Sequence, residues 1–106
     1  MAVSERRITR RLKLHVPLRF HGLDMPAEND CAATSINISG QGVYFETSLA
    51  LTVGQAVEIK LRMPSQFAEG RDRECCFTGR VMRIESMTAQ PGCSGIGVHF
   101  LYYEPV

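Results

Sequence analysis

The feature that most constrains what this chain can fold into is a two-residue hydrophobic alternation that recurs in six separate stretches. Leu12, Leu14, Val16, Leu18 and Phe20 alternate with Lys13, His15, Pro17, Arg19 and His21. Successive side chains of an extended strand leave opposite faces, so this pattern describes a strand with one face in a core and the other in water. Ala32, Thr34, Ile36 and Ile38 against Ala33, Ser35 and Asn37 predict a second strand, and Val43 and Phe45 against Tyr44 and Glu46 a third. Val57, Ile59, Leu61 and Met63 against Glu58, Lys60 and Arg62 predict a fourth. Residues 75–86 predict a fifth, in which Gly79 breaks the alternation as a bulge does, and Ile96, Val98 and Phe100 a sixth. Pro17 places the first strand at an edge or a bulge, because proline cannot donate to a ladder.

The connectors 22–30, 64–74 and 87–94 are polar and each holds Gly or Pro. Six short strands separated by turn signals, without a convincing long helix, predict an antiparallel sheet that closes on itself or folds into two layers. At 106 residues the expectation is a single domain around one core. No apolar run approaches the roughly 18 residues of a membrane-crossing helix, and the N-terminus has charge without the apolar region of a signal peptide, so the expected location is the cytoplasm, away from the membrane. Cys31, Cys75, Cys76 and Cys93 include a vicinal pair but no C-x-x-C, which argues for reduced thiols rather than a disulfide framework or a zinc site.

A net charge of +1 conceals an asymmetry: residues 1–21 hold six Lys/Arg and one acidic residue, the remainder six and ten. Arg6, Arg7, Arg10 and Arg11 lie within six positions. On a helix the pairs Arg6/Arg10 and Arg7/Arg11 would repel by about 0.2–0.5 kcal/mol each, so an anionic partner explains them better than a solvated helix does. The arm carries only Val3 and Ile8 as large branched apolar residues, which predicts a flexible segment over residues 1–11 and a barrel or sandwich over 12–103.

A second stretch, Asn37-Ile38-Ser39-Gly40-Gln41-Gly42, lies where the second strand turns into the third. Asn37 and Ser39 are two apart on an extended segment and so share a face, the one opposite Ile36 and Ile38. As a tight turn the stretch is ordinary, with Asn and Ser bonding local backbone and glycines supplying positive φ. Asn37, which precedes the turn, is less well explained that way.

Taken together, R-x-x-x-R before the first strand, here Arg7 to Arg11, and [D/N]-x-S-x-x-G at the end of the second, here Asn37 to Gly42, resemble the PilZ domain family, as does the closing strand 95–101. The resemblance implies an all-β, six-stranded antiparallel barrel that is not an enzyme, needs no cofactor or metal, and acts as a receptor for the bacterial second messenger cyclic di-GMP. It carries the ligand contacts onto Arg7, Arg11, Asn37, Ser39 and Gly42. Arg6/Arg10 also satisfies the arginine spacing; Arg7/Arg11 is preferred because Arg11 directly precedes Leu12, the first apolar residue of the strand.

The chemistry agrees with these assignments. A guanidinium pairs with phosphate, meets guanine O6 and N7 with two hydrogen bonds, or stacks on a purine. Asn37 and Ser39 offer donors and acceptors to a guanine edge, and Gly42 allows close approach of backbone to ligand. A ligand that touches both motifs would order the arm, a signal to be read by a downstream effector protein. The end of the sequence at "YYEPV" leaves homodimerisation open.

Two other classes compete. A small barrel using its arm on nucleic acid is disfavoured because the arm lacks the aromatic platforms on which single strands stack. A PilZ-like interaction module that binds no ligand is disfavoured by the intact second motif. His15, His21 and His99 are read as surface or lining residues without a neighbouring carboxylate, Arg71 to Glu74 as a solvated loop, and Met25, Met63, Met82 and Met87 as gap-filling or loop residues.

Overall fold

A computed structural model describes residues 13–26, 30–63, 73–86 and 91–105. They form six strands: β1 (Pro17–Gly22), β2 (Cys31–Ile38), β3 (Gly42–Thr47), β4 (Ala56–Met63), β5 (Arg73–Ser86) and β6 (Ser94–Pro105). The order around the sheet is β1-β2-β3-β6-β5-β4, with β4 pairing back onto β1, so the sheet closes into a barrel. Every pairing is antiparallel. The sheet therefore closes on itself and does not split into two layers. Closure also removes the edge on which Pro17 was expected: β1 is paired on both sides, and Pro17 is tolerated as the strand's first residue.

Alternation builds the core most plainly in β4, where Val57, Ile59 and Leu61 are buried while Arg62 is exposed. Leu18, Phe20, Ile38, Val43, Phe45, Cys75, Phe77, Val81, Ile96, Val98 and Phe100 complete the interior. The Phe20 and Phe45 rings lie 4.9 Å apart, and Phe77 stacks on Phe100 at 3.9 Å. All four cysteines are thiols.

Three places break the alternation, each with one extra residue on one strand. Ser35 pairs with Phe45 and Asn37 with Tyr44, which leaves Ile36 as the extra residue of β2. Thr78 pairs with Tyr102 and Gly79 with Phe100, leaving Leu101 extra on β6, and Val81 pairs with Val98 and Arg83 with Gly97, leaving Met82 extra on β5. The expected break at Gly79 is therefore real, with the inserted residue on the neighbouring strand.

The bulge at Ile36 corrects the phase expected for β2. Ala32 and Thr34 face water, Ser35 is fully buried, and only beyond the bulge does Ile38 return to the core. A hydroxyl can occupy that interior position because it is fully bonded. Ser35 Oγ accepts from the Val16 amide (2.8 Å) and donates to the Leu14 carbonyl (2.5 Å), and the Ser35 amide donates to the Val16 carbonyl (2.9 Å). Residues 14–16 are thus clipped to β2 before β1 begins. One further boundary differs from expectation: β5 starts at Arg73 rather than after a charged loop, while β6 runs on through Tyr102 and Tyr103, paired with Thr78 and Phe77, within the expected barrel.

Candidate functional site

The turn between β2 and β3 is fixed by three hydrogen bonds. The Ser39 amide donates to the Gly42 carbonyl (2.9 Å), the Gln41 amide to Ser39 Oγ (3.1 Å), and the Phe100 amide of β6 to the Gln41 carbonyl (2.7 Å). Gly40 and Gly42 do not need positive φ, which among the described residues occurs at Gly54 and Gly92. Gly42 is required for a different reason. A Cβ there would overlap the backbone carbonyl oxygen of Val98, so glycine lets β3 lie close against β6.

Beside this turn lies an open groove of about 550 Å³, within the roughly 300–1,000 Å³ range of small-molecule sites. Asn37, Ser39 and Gly42 all line it. The Ser39 oxygen accepts one bond, from the Gln41 amide, which leaves its hydroxyl hydrogen and a second lone pair to offer a ligand. Asn37 is half-buried, and its carboxamide makes no hydrogen bond among the described residues. Arg6, Arg7, Arg10 and Arg11 lie outside the described residues.

The groove continues across the sheet from Asn37, which pairs with Tyr44, and takes in Tyr44, Arg83 and Gly97, which the sequence did not single out, together with Met82 and His99. Tyr44 of β3 and Arg83 of β5 both pair with Gly97 of the intervening β6, so the three residues form one row across the sheet. With no side chain at Gly97 between them, the Arg83 guanidinium lies 5.3 Å from the centroid of the Tyr44 ring. Further along β6 the next glycine repeats the device. A Cβ on Gly95 would overlap the Tyr44 phenol, which crosses β6 there and donates to Glu85 Oε1 at 2.7 Å. Glu85 Oε2 also meets Arg83 Nε at 3.4 Å. Burial, reinforced by the hydrogen bond to Glu85 and its negative charge, pushes the Tyr44 phenol above its ordinary value.

A second polar cluster lies around His21, whose Nδ1–H donates to Asp30 Oδ1 at 2.6 Å and whose Nε2 is 3.7 Å from Glu58. His21 is buried with two carboxylates beside it, contrary to the reading of it as a residue without one. Burial alone would raise the Asp30 carboxyl; the His21 hydrogen bond and the nearby Lys60 ammonium outweigh it and hold the group below its ordinary value. Among the described residues no group of three or more His, Cys, Asp or Glu side chains is arranged to hold a metal ion, and no helix is long and apolar enough to cross a membrane.

Comparison with known proteins agrees with the six-stranded barrel. The sequence model of the PilZ domain matches residues 5–105. The inhibitor of motility MotI/DgrA of Bacillus subtilis superposes with a TM-score of 0.70 at 17% identity, over 89% of this chain and 42% of that protein. The PilZ domain of CeSA from a cellulose-synthesizing bacterium superposes with a TM-score of 0.56 at 17% identity, over 88% of this chain and 82% of that domain. This chain therefore spans about two-fifths of the length of MotI/DgrA. No curated protein sequence matches it.

Proposed function

The chain belongs to the PilZ domain family, and from that membership together with the groove we propose that it is a receptor for cyclic di-GMP. The observation that carries this reading is that Asn37, Ser39 and Gly42 of the N-x-S-x-x-G motif line one small-molecule-sized groove. The Asn37 carboxamide, without a hydrogen bond among the described residues, and the Ser39 hydroxyl offer a ligand a donor and acceptor set suited to a guanine edge.

The arginine motif enters through chain geometry. Three peptide units separate Arg11 from Leu14, a span of at most about 11 Å, and the Leu14 carbonyl is bonded to Ser35, two residues before Asn37. Arg7 and Arg11 then supply the charge for the two phosphates, with Arg6 and Arg10 as the alternative register. Binding draws the arm onto the barrel, and the joined surface is what an effector protein reads. On this account the protein is a receptor rather than an enzyme, and cyclic di-GMP is its ligand rather than a cofactor.

Isothermal titration tests the reading. Cyclic di-GMP gives saturable heat, GMP and a single-stranded oligonucleotide do not, and Arg11→Ala loses at least about 1.5–3 kcal/mol, the worth of a charge-assisted hydrogen bond. Asn37→Ala loses less but measurably. Arg6→Ala is milder than Arg11→Ala if Arg7/Arg11 is the working pair. Binding of the oligonucleotide that depends on Arg11 but not on Asn37 would instead mark the arm as a nucleic-acid contact.

A further inference from the structure

Resting on the reading of the groove as a cyclic di-GMP site, we propose that Arg83 is a further ligand-binding arginine, supplied by the barrel wall and held on the Tyr44 ring to take a phosphate or a guanine face.

Strict alternation on β5 would turn Arg83 inward once Val81 is in the core. The extra residue Met82 reverses that, so that Met82 and Arg83 are both exposed on the groove side. Bulges re-aim side chains in this way, and here the bulge spares the barrel a buried, unpaired guanidinium. Among the described residues lining the groove, Arg83 is the one Arg or Lys side chain.

The ring beneath it has a defined seat. The Tyr44 ring is fixed by its phenol bond to Glu85 and seated across Gly95, and Gly97 leaves the lane between the ring and Arg83 open. A guanidinium already lying against an aromatic face gives up less rotational freedom on binding than one free in solvent. Glu85 meets it at Nε; the terminal nitrogens, with four of the five donors, make no hydrogen bond among the described residues. That ion pair is half exposed on both sides, at 51% each, so solvent already weakens it and a phosphate can compete for the cation.

Isothermal titration of cyclic di-GMP with wild type, Arg83→Ala, Arg83→Lys and Asn37→Ala tests the proposal, with thermal melts of the ligand-free proteins alongside. Arg83→Ala is expected to weaken binding by about ten- to a hundredfold while the ligand-free melting temperature stays near that of wild type. Arg83→Lys, which keeps charge but loses the planar fork, is expected to recover only part of the affinity. Wild-type affinity in Arg83→Ala, with Asn37→Ala impaired, overturns the role of Arg83 and leaves the receptor reading standing. No saturable binding by the wild-type protein overturns the receptor reading, and this role with it.

Discussion

Replacing Ser35 with alanine removes one oxygen that holds the entry to the barrel. Its Oγ takes the Val16 amide and gives to the Leu14 carbonyl, and the side chain is fully buried, so no water can replace it. Two hydrogen bonds at a net of roughly 0.5–1.5 kcal/mol each put the loss at about 2 kcal/mol. For a domain of this size that is a fall in Tm of roughly 10 °C. The backbone bond from Ser35 to Val16 survives the substitution, so the loss should be local to the side chain. Urea unfolding measures the energy, and amide exchange at Val16 shows whether the clip has opened. Affinity for cyclic di-GMP should fall as well, although no groove residue has changed, because residues 14–16 are the root of the arginine arm. A loss below about 0.5 kcal/mol with unchanged Val16 protection would refute this account of how the arm is anchored.

Gly42→Ala should destabilise more than Gly95→Ala, because the first drives a methyl into the Val98 backbone while the second meets a side chain that can swing aside. Overpacking of the first kind costs about 1–3 kcal/mol, and denaturant midpoints of the two variants rank them. Gly95→Ala should instead show in ultraviolet titration: displacing Tyr44 from Glu85 brings its raised phenol back toward the ordinary 10.0. Because the folded-state value of Asp30 is depressed, its contribution to stability is full above the ordinary 3.8 and is lost as pH falls through the lower folded value. Acid unfolding of Asp30→Asn should therefore show a smaller drop across that window than wild type.

The sequence carried the fold wherever alternation ran unbroken. β4, with Val57, Ile59 and Leu61 facing in, is placed as its pattern predicts. β2 was misphased because a single inserted residue, Ile36, reverses every side chain before it, and because Ser35 occupies the core through hydrogen bonds that no hydropathy pattern displays. The second motif was legible as a local run of residues, and Asn37, Ser39 and Gly42 do meet at one groove. Tyr44 and Arg83 were not legible. Their contact runs across β6 through Gly97, and it exists only because Met82 shifts the phase of β5. The His21 and Asp30 pair likewise joins the end of one strand to the residue just before the next, a contact set by the β1–β2 register.

Amide chemical-shift mapping during titration with cyclic di-GMP tests the central claim most directly, because it reports binding and place in one experiment. The account predicts saturable shifts at Asn37, Ser39, Gln41, Gly97 and His99 around the groove, with the paired Phe20 and Ile59 amides of β1 and β4 little changed. A spectrum that stays unperturbed, or shifts centred on β1 and β4 with the groove residues still, would contradict it.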